Sequence, residues 1–170
     1  GDEALKQDVL PKIVAGQSTL CFMVSEPDAG SDTSRLTTRA DKCENGWRVN
    51  GQKIWITQAM EADLGVILAR TSEADSRFGG LSLFLADLQN PQVTTRPIPK
   101  LPHNALRSCE VFLADLEVPE DRLIGAEGAG FTQILIGLNS ERVLMGAEMV
   151  GIGYAALGRA TRYAGERVVF

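Results

Sequence analysis

Hydrophobic positions change their spacing along the chain, and the change divides the sequence into three segments. In residues 3–15 apolar residues recur every three to four positions, which predicts a short helix with Gly16 as its stop signal. Pro11 is expected to kink this helix or to limit it to two short turns. From Phe131 to about Tyr163 the helical spacing returns, and it predicts one long helix with apolar residues on several faces.

The segment between the two helices has the pattern of strands separated by turns. Short apolar or alternating runs predict strands at 20–25, 37–43, 47–49, 52–57, 64–69, 81–87, 93–96 and 109–113. Asn50 and Gly51 lie between two of these runs and predict a tight hairpin turn, because both residues tolerate positive φ. Frequent turns without a long helix favour a mainly β fold, an antiparallel β-barrel or sandwich flanked by an N-terminal helix and a long C-terminal helix.

Composition and charge narrow the class of protein. The 170 residues are 44% hydrophobic and 23% charged, as in ordinary globular proteins, and the net charge of −5 argues against a nucleic-acid binder. No apolar run is long enough for a transmembrane helix. Three widely spaced cysteines without a CxxC pair argue against a disulfide framework and favour a reducing compartment. His103 is the only histidine, so we expect no metal site, and chemistry is left to carboxylates or a bound cofactor.

Three segments are candidates for that chemistry, and each has a simpler structural explanation. The turn at 26–30 followed by Ser31 offers backbone N–H groups and a hydroxyl to an anion, although a polar β-turn explains it as well. Trp55 close to Thr57 could flank a flat heteroaromatic ring, although strand tryptophans more often belong to the core. Glu141 and Arg142 lie on or beside the apolar stripe of the long helix. They fit either a salt bridge to another helix or a desolvated carboxylate that lines a pocket and acts as a base.

Taken together, the motifs resemble the acyl-CoA dehydrogenase family in their order and spacing. The matching segments are residues 25–32, residues 50–57, Val118-Pro119 with Gly125 and Gly130, residues 140–142, and residues 163–170. The resemblance implies FAD as cofactor, bound between a middle β-domain and helical domains on either side of it in the sequence. In that layout residues 1–16 end the N-terminal helical domain, residues 17–119 form the middle domain, and residues 120–170 form a linker and the first helix of an incomplete C-terminal domain.

The same resemblance implies roles for individual residues. The implied flavin-ring contacts are Phe22, Val24, Ser25, Trp55 and Thr57, and Ile56 is also a cofactor-binding residue. Ser31 is expected at the FAD pyrophosphate and at the CoA side of the substrate. Asn139, Ser140, Glu141 and Arg142 are expected to line the acyl-CoA site. Arg167 and Phe170 are expected to reach the FAD of a neighbouring subunit, which makes the enzyme a homodimer or homotetramer.

The implied reaction is α,β-dehydrogenation of an acyl-CoA thioester, in which Glu141 removes the α-proton and the β-hydride goes to flavin N5. In many members of the family the base lies on a later helix, which would be beyond residue 170, whereas isovaleryl- and long-chain-type members carry it where Glu141 stands. An electron-transfer flavoprotein is the expected acceptor, and the bacterial cytoplasm is preferred to the mitochondrial matrix as the location. The alternatives are a flavin oxidase or monooxygenase of the same fold and a non-catalytic β-domain for protein interaction. The 170-residue chain alone is expected to have little or no activity.

Overall fold

The structure, a computed structural model, describes residues 2–73, 78–101 and 104–170, so His103 lies outside the described residues. The elements in chain order are α1 (Glu3–Val14), β1 (Leu20–Met23), β2 (Arg39–Cys43), β3 (Gly46–Thr57), β4 (Leu64–Arg70), β5 (Leu81–Asp87), β6 (Val93–Pro97), β7 (Ser108–Pro119), β8 (Leu123–Ile124) and α2 (Gly130–Glu166). Short 3-10 helices lie at Thr33–Arg35 and Glu120–Arg122. Contacts divide the chain into two compact units, Gly1–Gln133 and Ile134–Phe170.

Helix α1 continues through Pro11 to Val14, although the sequence predicts that Pro11 kinks the helix or limits it to two short turns. Asp2 caps its N-terminus, because the side chain accepts a hydrogen bond from the amide of Leu5 at 2.8 Å. Pro11 removes one helical donor, but its carbonyl still accepts the amide of Ala15 at 2.9 Å, so the last turn closes. Gly16 follows at φ +68°, the left-handed conformation typical of a helix stop.

The strands form one mixed sheet of eight strands in the order β6-β7-β3-β2-β4-β5-β8, with β1 paired to β4. The mainly β fold with a helix at each end is therefore confirmed. The purely antiparallel barrel or sandwich is corrected, because β1 and β2 both run parallel to β4. Over the described residues the path of paired strands ends at β6 and β8 without closing. The β2–β3 hairpin supplies the long connection that a parallel β1–β4 pair requires.

The tight turn lies before Trp47 rather than at Asn50 and Gly51, where the sequence predicts it. Strand β3 continues through both residues, and β2 turns into it across residues 44–45, with Cys43 paired to Gly46. The predicted strands at 47–49 and 52–57 are consequently one strand. The predicted hairpin at Asn50 and Gly51 is therefore wrong, and the backbone irregularity there is a bulge in the pairing of β3 with β7.

The bulge opposite Asn50 belongs to β7. The register moves by one residue between Val49 and Gly51, which leaves Asp115 in the left-handed region at φ +56°. Asn50 stabilises that conformation, since its Oδ1 accepts the amide of Asp115 at 2.8 Å and its Nδ2 donates to Asp115 Oδ1 at 3.1 Å. The bulge fixes the register of the second half of β3, which carries the candidate site.

Gly51 provides a test of this packing. A Cβ at Gly51 would lie 2.4 Å from Thr38 Oγ1 and 2.8 Å from Thr38 Cα, and the residue has φ +156°. We expect Gly51→Ala to lower the free energy of unfolding in urea by about 1–3 kcal/mol through overpacking. Gly30→Ala is the matched control, because nothing lies within 4 Å of a Cβ at Gly30. Equal stability of the two variants would contradict the close approach of β3 to Thr38.

The second unit consists of the greater part of α2 and the residues after it. Helix α2 extends a little beyond the predicted 131–163 at both ends. The described chain leaves the following large apolar side chains of this unit exposed: Ile136, Val143, Leu144, Met145, Met149, Val150, Ile152, Tyr154, Leu157 and Tyr163. The sequence pattern predicts burial on several faces of this helix, whereas these side chains are exposed in the part of the chain that the structure describes.

Candidate functional site

The first part of the site is the segment that follows β1. The chain turns back on itself between Glu26 and Ala29, whose backbone groups exchange hydrogen bonds of 2.8 and 3.1 Å. Directly before this turn, the carbonyl of Ser25 accepts the amide of Ile54 at 2.9 Å. This bond places the end of β1 beside the second half of β3. Two motifs that are far apart in the sequence, residues 25–32 and 50–57, therefore meet in the first unit.

The second part of the site is a bulge in β3 that contains Trp55. Lys53 pairs with Val111 and Ile56 pairs with Cys109, so two residues of β3 stand opposite one residue of β7. Trp55 lies in this bulge at φ +61°, a conformation that few non-glycine residues adopt. In a regular strand Trp55 would share a face with the buried Lys53, but the extra residue turns it outward. The indole is 58% exposed as a result, whereas Ile56 is 2% exposed.

The predicted cofactor-binding residues near the bulge differ in their exposure. Phe22 is 49% exposed although Met23, its neighbour in β1, is buried. Thr57 is exposed as well, and Val24 and Ser25 are partly exposed. Ile56 is the exception, because its side chain belongs to the hydrophobic core and leaves only its backbone for a ligand.

Ser31 is exposed on the loop that continues from the turn. The next residue, Asp32, caps a short 3-10 helix by accepting the amide of Ser34 at 3.2 Å. Arg70 holds this loop from β4, since its guanidinium donates to the carbonyls of Ser34 and Leu36 at 3.0 and 3.3 Å. The guanidinium of Arg70 thus ties the loop that presents Ser31 to the sheet, and no pattern in the sequence indicates this role.

A buried ion pair joins the two motifs, and sequence reasoning missed it. Lys53 Nζ lies 2.9 Å from Glu26 Oε1, and the Lys53 side chain has no exposed surface. Burial lowers the pKa of Lys53 to about 8, against the opposing effect of the Glu26 carboxylate. A lysine between Gln52 and Ile54 has the pattern of a surface residue in an alternating strand, so no local signal marked it.

The predicted substrate-binding residues form a separate set on α2, in the second unit. Asn139, Ser140, Glu141 and Arg142 are all exposed, and the guanidinium of Arg142 donates to Asn139 Oδ1 at 2.9 Å. Glu141 therefore lies on an open helix face, and the expected desolvation is not provided by the described residues. Towards the end of the chain, the Arg167 guanidinium lies 5.6 Å from the centre of the Tyr163 ring. Phe170 is fully exposed.

The described residues contain neither a cluster of metal ligands nor a helix that could span a membrane. Among residues 2–73, 78–101 and 104–170, no three His, Cys, Asp or Glu side chains are grouped closely enough to hold a metal ion. Within the same part of the chain, neither helix combines the length and the apolar composition needed to cross a membrane. The features that remain for binding are the outward-facing Trp55, the turn with Ser31 and the exposed polar residues of α2.

The strands that build the site match a known family. Residues 21–116, more than half of the chain, match the model described as acyl-CoA dehydrogenase, middle domain. The chain belongs to the acyl-CoA dehydrogenase family. This finding confirms the resemblance drawn from the motifs in residues 25–32 and 50–57.

Related proteins agree with the family assignment. The acyl-CoA dehydrogenase FadE12 of Mycobacterium tuberculosis is 36% identical over 170 residues, which is all of this chain and 44% of that protein. The structure of an acyl-CoA dehydrogenase from Geobacillus kaustophilus matches with a TM-score of 0.92 and 32% identity, over all of this chain and 45% of that one. The FAD complex of PigA matches with a TM-score of 0.92 and 33% identity, over all of this chain and 44% of that one. The chain spans less than half the length of these relatives.

Proposed function

We propose that this acyl-CoA dehydrogenase family chain forms the flavin-facing part of an FAD-dependent enzyme that dehydrogenates acyl-CoA thioesters. The observation that carries the proposal is the β3 bulge, which turns the Trp55 indole outward next to Ser25 and Thr57 at the cost of an unfavourable backbone conformation. Strained backbone at an exposed aromatic residue is typical of a binding site. Residues 17–119 serve as the middle domain in this proposal, between the segments 1–16 and 120–170.

The residues around the bulge have the chemistry that FAD requires. Trp55 and Phe22 offer aromatic surface to a flat ring, and the hydroxyls of Ser25 and Thr57 offer hydrogen bonds to its polar edge. Nothing lies within 4 Å of a Cβ position at Gly30, so the turn leaves open space in front of Ser31. The similar PigA forms an FAD complex, which supports the same ligand here. When bound, FAD supplies an acceptor for the hydride that leaves the β-carbon of the substrate.

In the proposed enzyme the residues of α2 act on the substrate. Glu141 accepts the α-proton, and its exposed carboxylate is accessible to a thioester bound along the helix. The Arg142–Asn139 hydrogen bond orders the neighbouring polar groups, and Ser140 and Ser31 contribute hydroxyls to the acyl-CoA site. Arg167 and Phe170 reach the flavin of a neighbouring subunit in a homodimer or homotetramer. The proposed acceptor is an electron-transfer flavoprotein, and the proposed location is the bacterial cytoplasm.

Trp55→Gly separates the role of the ring from that of the backbone. The variant removes the indole and relieves the strain of φ +61°, so we expect unchanged or higher stability. FAD binding should weaken by roughly fivefold, the equivalent of about 1 kcal/mol of ring stacking. Gln58→Gly is the matched control, because Gln58 has the same φ of +61°. FAD affinity that is equal in Trp55→Gly and wild type would exclude Trp55 from the site.

The proposed function is tested by identifying the bound cofactor and the product of the reaction. Denaturation of the purified, proposed full-length enzyme should release FAD, and its incubation with an acyl-CoA should yield the corresponding 2-enoyl-CoA, detected by mass spectrometry. The reduced protein should pass its electrons to an electron-transfer flavoprotein faster than to oxygen. Faster reoxidation by oxygen would favour the oxidase or monooxygenase, and a colourless protein without FAD would favour a non-catalytic module.

A further inference from the structure

Lys53 lies where β1 separates from β4, beside the candidate site. The parallel pairing of β1 with β4 ends at Met23 and Ile67. The carbonyls of the residues that follow, Val24 and Leu68, both accept a hydrogen bond from Lys53 Nζ, at 3.1 and 2.7 Å. The ammonium group therefore bridges β4 and the residue that follows β1, at the point where the ladder between these two strands stops.

The third donor of the ammonium group goes to Glu26 Oε1 at 2.9 Å, so all three N–H groups of Lys53 have acceptors. Glu26 is equally well bonded. Its Oε1 also accepts the amide of Thr38 at 3.0 Å, and its Oε2 accepts the amide and the hydroxyl of Thr37 at 2.7 and 2.8 Å. The pair thus connects the turn after β1, the bulge of β3, the end of β4 and the chain that leads into β2.

A buried ion pair of this kind contributes more to the geometry of its surroundings than to the stability of the fold. Lys53 has no exposed surface and Glu26 is 5% exposed, so both charges lose nearly all of their hydration. That loss offsets most of their attraction, and apolar side chains of similar size often stabilise a core as well as a buried ion pair does. Charge-assisted hydrogen bonds, however, hold their partners in a defined geometry. The partners here lie next to Ser25 and Trp55.

We propose that Glu26 and Lys53 are positioning residues for the flavin site, an inference that rests on the function proposed above. Lys53 holds the carbonyl of Val24, and the neighbouring Ser25 is bonded through its carbonyl to the amide of Ile54 at 2.9 Å. The pair consequently sets the spacing between Ser25 and the bulge at Trp55. Both charged side chains are buried, so they act on the cofactor through the backbone that they hold.

The test replaces both charges together, in the double variant Glu26→Gln, Lys53→Met, so that no buried charge is left unpaired. The measurements are the dissociation constant of FAD, the visible circular dichroism of the bound flavin and the urea midpoint of the apoprotein. We expect FAD to bind at least about tenfold more weakly, with an altered dichroism spectrum, because the site is no longer preorganised. The urea midpoint should stay near that of wild type.

The control is Arg48→Met, Glu117→Gln, which removes an exposed ion pair of 3.7 Å between β3 and β7 and should leave flavin binding unchanged. Wild-type affinity and dichroism in the Glu26, Lys53 double variant would overturn the proposal. A loss of affinity that parallels a loss of stability would also overturn it, since the pair would then have only a structural role.

If the double variant does not fold, Glu26→Gln alone decides the question, because it keeps Lys53 and both of its carbonyl acceptors. An altered dichroism spectrum of its bound flavin supports positioning, and an unchanged spectrum overturns it. Wild-type protein is the reference for both variants. If the wild type does not bind FAD, the proposed function is contradicted. If the wild type binds FAD and the variants bind it in the same way, only the positioning role is contradicted.

Discussion

Glu141→Gln in the flavin-loaded, proposed full-length enzyme is expected to reduce turnover of acyl-CoA by roughly 10²–10⁴-fold, the usual contribution of a general base. A carboxamide has nearly the shape of a carboxylate but does not accept a proton at neutral pH. Glu141 is exposed on α2, so the replacement should leave folding and FAD binding unchanged. The loss of turnover should be accompanied by an equal loss in the exchange of α-deuterium from the substrate, because both processes need the same proton transfer.

Glu148→Gln is the matched control for this prediction. Glu148 is also exposed, and it lies on the same helix about two turns after Glu141. We expect turnover and exchange close to wild type in this variant. Wild-type turnover in Glu141→Gln would show that the base lies elsewhere, as it does in family members that carry it on a later helix.

Glu26→Ala is expected to produce the largest loss of stability, about 3–5 kcal/mol in the free energy of unfolding. The substitution leaves the fully buried Lys53 without its carboxylate, and it removes the acceptor of the Thr38 amide. Urea denaturation of the apoprotein measures this loss. Glu117→Ala is the control, since Glu117 pairs with Arg48 at the surface and such pairs contribute at most about 1 kcal/mol. Similar losses in both variants would contradict the burial of the Glu26–Lys53 pair.

The carboxylate of Glu26 makes the stability of the folded protein depend on pH in the acidic range. Burial alone would raise the pKa of Glu26, but the charge of Lys53 and the hydrogen bonds from Thr38, Lys53 and Thr37 outweigh it and lower the pKa to about 2, from the usual 4.5. Because the pKa is lower in the folded state, Glu26 contributes stability above about pH 4.5 that is lost as the pH falls towards 2. Stability should therefore fall more steeply in wild type than in Glu26→Gln over this range, and equal slopes would count against the shifted pKa.

Much of the fold follows from local patterns in the sequence. Strand β5 begins and ends at the predicted residues, because the apolar run at 81–87 is bounded by glycine on one side and polar residues on the other. The misplaced hairpin at Asn50 and Gly51 has a different origin. Positive φ is tolerated in a bulge as well as in a turn, and the choice between them depends on β7, which lies more than 50 residues later. Local turn chemistry does not contain that information.

Only those residues of the candidate site that belong to a recognisable sequence motif could be predicted from the sequence. Trp55 and Thr57 are candidates through the family resemblance, whereas the general preference of strand tryptophans for the core would place Trp55 inside. The bulge that turns Trp55 outward depends on the pairing of Lys53 with Val111 and of Ile56 with Cys109. The burial of Lys53 depends in turn on contacts with β1 and β4, which no local pattern encodes.

Anaerobic mixing of the proposed full-length enzyme, loaded with flavin, with an acyl-CoA tests the proposed function most directly. We expect the absorbance of oxidised flavin to disappear in proportion to the 2-enoyl-CoA formed. The rate of this bleaching should be lower in Glu141→Gln. Its amplitude should be smaller in Trp55→Gly at limiting FAD. Flavin that stays oxidised in the presence of a range of acyl-CoA chain lengths, or that is reduced without formation of enoyl-CoA, would contradict an acyl-CoA dehydrogenase.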